Sequence, residues 1–169
     1  PGSRIGNNCK IFPGAVISGN PQDIKFKNEN TLTIIEDNTI IREFVTINRG
    51  TKATKKTFVG SNCFIMAYCH IAHDCKIGSN CVLANAVNIA GHVTIENDVT
   101  IGGMTAIKQF TNIGQHSMIS GGSLVRKDIP PYIKVAKEPL KFLGINIVGL
   151  KRKEFSEKDI KKIKNLYRK

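Results

Sequence analysis

The hydrophobic positions of this chain follow one rule for most of its length. Every sixth residue from Val59 is aliphatic: Val59, Ile65, Ile71, Ile77, Leu83, Ile89, Ile95, Ile101, Ile107, Ile113, Ile119 and Val125. The same phase runs back through Ile47, Ile41 and Ile35, and again through Ile17, Ile11 and Ile5. It is interrupted at Ala53 and at Asp23 and Glu29, where polar, turn-rich stretches read as loops at about residues 18–30 and 48–58 that replace whole hexads. A period of six fits neither the 3.6-residue helix nor the alternation of a lone amphipathic strand, but it fits a short strand and a turn repeated many times. Three hexads close a triangular coil of about 18 residues, and such coils stack by parallel strand pairing at roughly 4.8 Å. The expected fold class is mainly β: a parallel β-helix over residues 1–131 with the aliphatic ladder pointing inward.

A different pattern follows Val125. In DIPPY, Asp128 to Tyr132, the two prolines lack an N–H, which predicts that strand pairing stops and the chain turns away. Farther on, Ser156 and Asp159 read as a capping box, Phe155 as a staple onto Ile160, and Ile160, Ile163 and Tyr167 as an apolar helical stripe. Residues 132–169 are therefore expected to be a connector and the start of a C-terminal helical segment. A chain that opens on Pro1 and closes inside a helical pattern is expected to be truncated.

Composition narrows the class. The 169 residues are 41% hydrophobic and 22% charged, which suits one globular array and excludes a disordered tail. No apolar run approaches the roughly 18 residues of a membrane span, so stable membrane insertion is not expected and a cytoplasmic location is. The formal charge is +12, and residues Lys151 to Lys169 carry nine Lys or Arg against Glu154, Glu157 and Asp159, which concentrates half the excess in the tail. That concentration points to docking of an acidic partner. No aromatic residues interleave with the charge and no recognition helix or zinc finger is present, so nucleic acid is not expected. All five cysteines (Cys9, Cys63, Cys69, Cys75 and Cys81) fall four residues after a repeat aliphatic, without a CxxC. They read as small inward or corner residues in a reducing compartment rather than as ligands or bridges.

The stretch HIAHDC, His70 to Cys75, holds the candidate chemistry. None of the four histidines takes an inward position. Residues one coil apart stack on adjacent coils, so Asp74, His92 and Phe110 form one column, with His73, Gly91 and Gln109 beside it, while His116 falls on another face. Two chemistries are open to such a cluster. His70, His73 and His92 could supply three metal ligands, provided they converge at roughly 2 Å from an ion. General-base catalysis needs less: an imidazole, a carboxylate that fixes its tautomer, and a backbone donor for an oxyanion, which His73, Asp74 and Gly91 provide.

The runs NPQDIKF (Asn20 to Phe26), IREFVTINRGT (Ile41 to Thr51), HIAHDC, LANAVNIAGHV (Leu83 to Val93), IGGMTAIKQF (Ile101 to Phe110), DIPPY and GINIVGLKRK (Gly144 to Lys153) resemble the UDP-N-acetylglucosamine O-acyltransferase family of lipid A synthesis. The resemblance covers nearly the whole chain, loops included, and implies a left-handed hexapeptide-repeat β-helix. It implies transfer of a 3-hydroxyacyl chain from acyl carrier protein to the 3-hydroxyl of UDP-N-acetylglucosamine, the first step of lipid A synthesis, by a homotrimer that uses no metal or other cofactor. By the same resemblance His73 is the general base, Asp74 its neighbouring carboxylate and Gly91 the oxyanion amide. His70, His92 and Gln109 line the cleft, Asp23 and Lys25 belong to a sugar-binding loop, and Asn146 and Arg152 contact the nucleotide. Gly121 is the floor of the acyl groove. It ends a column of Ala67, Asn85, Gly103 and Gly121 and stands two and two-thirds coils past His73. That is about 13 Å along the axis, enough for on the order of ten carbons. The chain departs from the family pattern at Lys108, Val148 and Lys153. Rival expectations are the related N-acyltransferase, a metal-dependent enzyme of the carbonic anhydrase type, and a solenoid scaffold with no catalysis.

Overall fold

The computed structural model describes residues 2–137 and 141–167. Each hexad forms a two- to four-residue strand, and every third strand pairs in parallel, giving three sheets of six, eight and six strands that form the faces of a prism. The first face carries the inward residues Ile5, Ile35, Val59, Ile77, Ile95 and Ile113. The second carries Ile11, Ile41, Ile65, Leu83, Ile101 and Ile119, and the third Ile17, Ile47, Ile71, Ile89, Ile107 and Val125. From Ile35 onward the ladder is buried, and the small residues four positions later fill the corners inside it. In the first described coil Ile5 and Ile11 are 45% and 42% exposed.

Register shows that the loops replace whole hexads. In an uninterrupted coil Ile77 pairs with Ile95, three hexads on. Ile5 instead pairs with Ile35, five hexads on, and Ile35 with Val59, four hexads on. The first loop therefore adds two hexads to a coil, and the second adds one. The strands flanking them extend to Gly19 and start again at Leu32, and extend to Asn48 and start again at Lys56, so the loops proper are 20–31 and 49–55.

Between faces the chain turns through a residue with positive φ, three positions after each inward aliphatic. Asn62, Tyr68, Asp74, Asn80, Ala86, His92, Asp98, Met104, Phe110 and His116 all lie between +56° and +64°. The left-handed conformation costs a non-glycine residue on the order of 1 kcal/mol, and Asn, Asp and His tolerate it best. These corner residues project outward, so the tightest bends of the backbone are also where side chains are presented.

The prolines do not end strand pairing. Ile129 bridges Ile113, and Ile133–Ala136 pairs in parallel with Met118–Ile119 as a further strand of the second face. Pro130 and Pro131 sit at the corner between these pairings, where the ladder needs no proline N–H, and Gly114 leaves Pro131 the space to approach. Lys141–Ile145 then returns antiparallel, followed by two helices, α1 (Ile147–Arg152) and α2 (Glu157–Leu166). Helix α2 starts as expected: Ser156 accepts from the Asp159 N–H, and Ile160 and Ile163 pack with Leu150, Phe155 and Tyr167. Helix α1 was not expected; Asn146 caps it by accepting from the Gly149 N–H. Arg168 and Lys169, part of the basic tail, lie outside the described residues.

Candidate active site

His73 and Asp74 occupy the corner between the third and first faces, and the column predicted from spacing is present. His73 Nδ1 lies 2.8 Å from Asp74 Oδ2, and His92 Nε2 lies 3.8 Å from the same oxygen. The His73 and His92 rings meet edge to face at 5.1 Å, and His92 stacks on Phe110 at 4.6 Å. Both members of the pair are buried, His73 at 5% and Asp74 at 6% exposure.

The loop 49–55 completes this burial. Asp74 Oδ1 accepts from the N–H of Thr51 at 3.0 Å and of Thr54 at 3.2 Å, and Oδ2 accepts from the Thr51 hydroxyl at 2.7 Å. The Thr54 hydroxyl lies 2.5 Å from Oδ1, and the Asp74 N–H donates to Thr57 Oγ1. Burial pushes the Asp74 carboxyl up, but hydrogen bonds from Thr54, His73 and Thr51 outweigh it and bring the group down to about 2. The sequence predicts Thr51 to Thr57 as a projecting loop, whereas in the fold it turns back onto Asp74. The available signal is three threonines at intervals of three, Thr51, Thr54 and Thr57.

The opposite edge of His73 faces Gly91. A Cβ at position 91 would lie 2.6 Å from His73 Cε1 and 2.8 Å from Nε2, so glycine is required for space. The Gly91 N–H donates to none of the described residues. Next to it a shallow depression of about 340 Å³ runs over the third face, lined by His70, His73, Gly91 and Gln109, by Gln22 of the loop 20–31, and by the small Ala72, Ala90 and Ala106. His70 Nδ1 is engaged by Thr46 Oγ1 at 2.7 Å, and burial together with the neighbouring His73 lowers its pKa.

The remaining expected residues stand elsewhere. Asp23 bonds its own loop, accepting from the Lys25 N–H at 2.9 Å, and Lys25 is exposed. Gly121 lies at the corner between the second and third faces, a different corner from His73, so the axial spacing alone does not bring the two together. Asn146 donates to the His116 carbonyl at the corner between the first and second faces, and Arg152 is exposed in the last turn of α1. Lys153 contacts Asp98, which also lies 3.8 Å from His116 Nε2. The three corners of one chain thus divide the expected site among them.

His73, Asp74 and His92 bring ligand atoms within 4.8 Å of one another, a spacing an ion could bridge. The donor set argues against that use. Both Asp74 oxygens and His73 Nδ1 are already committed to one another and to the threonines, and an ion would have to break those bonds.

Comparison with known proteins decides the family. Residues 56–91 match the model described as bacterial transferase hexapeptide (six repeats), and 128–169 match domain 2 of Udp N-acetylglucosamine O-acyltransferase. The acyl-[acyl-carrier-protein]--UDP-N-acetylglucosamine O-acyltransferase of Chlorobaculum parvum is 55% identical over 99% of this chain and 64% of its own length. The crystal structure of the Bacteroides fragilis UDP-N-acetylglucosamine acyltransferase superposes with a TM-score of 0.96 at 48% identity, over 99% of this chain and 66% of that one. For the Campylobacter jejuni UDP-N-acetylglucosamine acyltransferase the TM-score is 0.87 at 36% identity, over 96% of this chain and 71% of that one. The chain belongs to the UDP-N-acetylglucosamine O-acyltransferase family. Its prism is the left-handed parallel β-helix of that family. The chain spans about 64% of the length of the curated relatives it matches. Among its described residues, no helix is long and apolar enough to cross a membrane.

Proposed function

We propose that the protein transfers a 3-hydroxyacyl chain from acyl carrier protein to the 3-hydroxyl of UDP-N-acetylglucosamine. The observation that carries this reading is the buried His73–Asp74 pair, 2.8 Å apart, with the free edge of His73 opening beside the Gly91 amide onto the depression of the third face. With Asp74 accepting at Nδ1, that nitrogen holds the proton of the neutral ring and Nε2 is left as a base. Nε2 removes the proton of the sugar hydroxyl as its oxygen attacks the thioester carbonyl. The carbonyl oxygen, now negative, takes a hydrogen bond from the Gly91 N–H. When the intermediate collapses, the ester remains on the sugar and the carrier thiolate leaves with the proton from Nε2. The ionised Asp74 holds the imidazolium in place throughout.

His70 and Gln109 border the path of the substrates, and Asp23, Lys25, Asn146 and Arg152 reach the sugar nucleotide from loops and from α1. We place Gly121 at the floor of the acyl groove. A site divided among three corners is completed in a homotrimer, where one chain's corner faces another's. The exposed Lys158, Lys161, Lys162 and Lys164 of α2 suit an acidic carrier protein. Cysteine thiols buried against main-chain carbonyls suit the cytoplasm.

The test is incubation of the protein with UDP-N-acetylglucosamine and 3-hydroxyacyl carrier proteins of several chain lengths. The expected product is an ester at the 3-hydroxyl, formed without added metal. An amide on a 3-amino sugar would favour the N-acyltransferase, activity lost to chelators the metal enzyme, and inertness toward every acyl donor a scaffold.

A further inference from the structure

We infer that Thr51 and Thr54 are positioning residues for the acyl transfer, and that the loop 49–55 serves to clamp the Asp74 carboxylate in one plane. The inference rests on the reading of His73 as the base. In the regular coils beyond Asp74 the side chain at this corner keeps some exposure, 22% for His92 and more for Phe110. Here instead the inserted hexad folds back, and the Asp74 side chain is 0% exposed.

The clamp is built from both ends of the carboxylate. Thr51 grips Oδ1 with its N–H and Oδ2 with its hydroxyl, so it fixes the rotation of the carboxylate as well as its place. Thr54 adds its N–H and hydroxyl to Oδ1. The Thr54 hydroxyl also lies 2.8 Å from the Lys56 carbonyl, and its single proton goes to the charged acceptor of the two. The loop holds its threonines before any substrate arrives. The Lys55 N–H donates to the Thr51 carbonyl at 2.8 Å, and the Ala53 N–H to Thr51 Oγ1 at 3.2 Å. Gly50 allows the closure, since a Cβ there would collide with the Lys56 backbone. His73 Nδ1 shares Oδ2 with the Thr51 hydroxyl, so the threonine directs which way that oxygen points. The chain of contacts is threonine, aspartate, histidine, and its output is the tautomer that leaves Nε2 free.

Thr51→Val keeps shape and N–H while removing the hydroxyl. We expect kcat to fall about 10-fold with KM for UDP-N-acetylglucosamine unchanged, and Thr51→Val with Thr54→Val to fall about 100-fold. Thr51→Ser should restore most of the rate. Nitrogen-15 spectra of labelled histidine read the same point without substrate: the His73 Nδ1–H tautomer should dominate in the wild type and lose population in the valine variants. Rates within about 2-fold of wild type with unmoved spectra would overturn the inference. So would equal losses in Thr51→Ser and Thr51→Val accompanied by unfolding, which would make the loop a structural element only. If the wild type transfers no acyl chain yet the valine variants shift the tautomer, the clamp stands and the proposed reaction fails.

Discussion

At the residue scale Asp74 is held ionised by the hydrogen bonds it accepts. Its folded carboxyl titrates at about 2, below its usual 3.8, so the unfolded chain takes up this proton at higher pH than the folded chain does. The group therefore stabilises the fold fully above about pH 4, by roughly 2 kcal/mol, and that contribution is lost as the pH falls toward 2. Acid unfolding followed by circular dichroism should show this segment of the curve flattened in Asp74→Asn; an identical curve would contradict the assignment. Gly91 supplies a second test, because its hydrogen is all that fits beside the His73 ring. Gly91→Ala should lower the acyl-transfer rate at least 10-fold with little change in melting temperature. An active variant would show that the ring has another place to go. The Asp74, His92 and Phe110 column was legible in the sequence because stacking at intervals of one coil is simple arithmetic. The threonines were not, because a period says where a loop leaves the array and nothing about where it returns.

At the scale of elements, the inward ladder holds the prism together. Ile95 is 1% exposed between Ile77 and Ile113. Ile95→Ala should cost about 3 kcal/mol in urea unfolding. A cost below about 1 kcal/mol would contradict the ladder as the core. The cap of α2 was legible from local residues, Ser156 and Asp159. The expected end of pairing at Pro130 and Pro131 does not occur. Proline forbids a ladder bond only where a ladder bond is needed, and the sequence does not show that both prolines fall on a corner. Helix α1 escaped because it is six residues long with a glycine inside, although Asn146 before it and Lys151 and Arg152 in its last turn are ordinary helix-end signals.

For the whole molecule, the decisive feature is that the expected site residues occupy all three corners: His73 on one, Gly121 on the second, and Asn146 with Arg152 on the third. Among the described residues nothing brings them together, and the sequence already carried this for Gly121, since two and two-thirds coils past His73 is a different corner, whereas Asn146 and Arg152 lie beyond the repeat, where the period gives no face. If the cleft lies between chains, activity per chain should fall on dilution in step with the loss of trimer seen by sedimentation. Constant specific activity in a demonstrated monomer would refute the shared cleft. The central claim is that His73 removes the proton from the sugar hydroxyl, and the acyl-transfer rate of His73→Gln tests it most directly. The account predicts a fall of roughly 100-fold or more with the β-helix intact by circular dichroism. A folded His73→Gln protein working within a few-fold of the wild-type rate would contradict it.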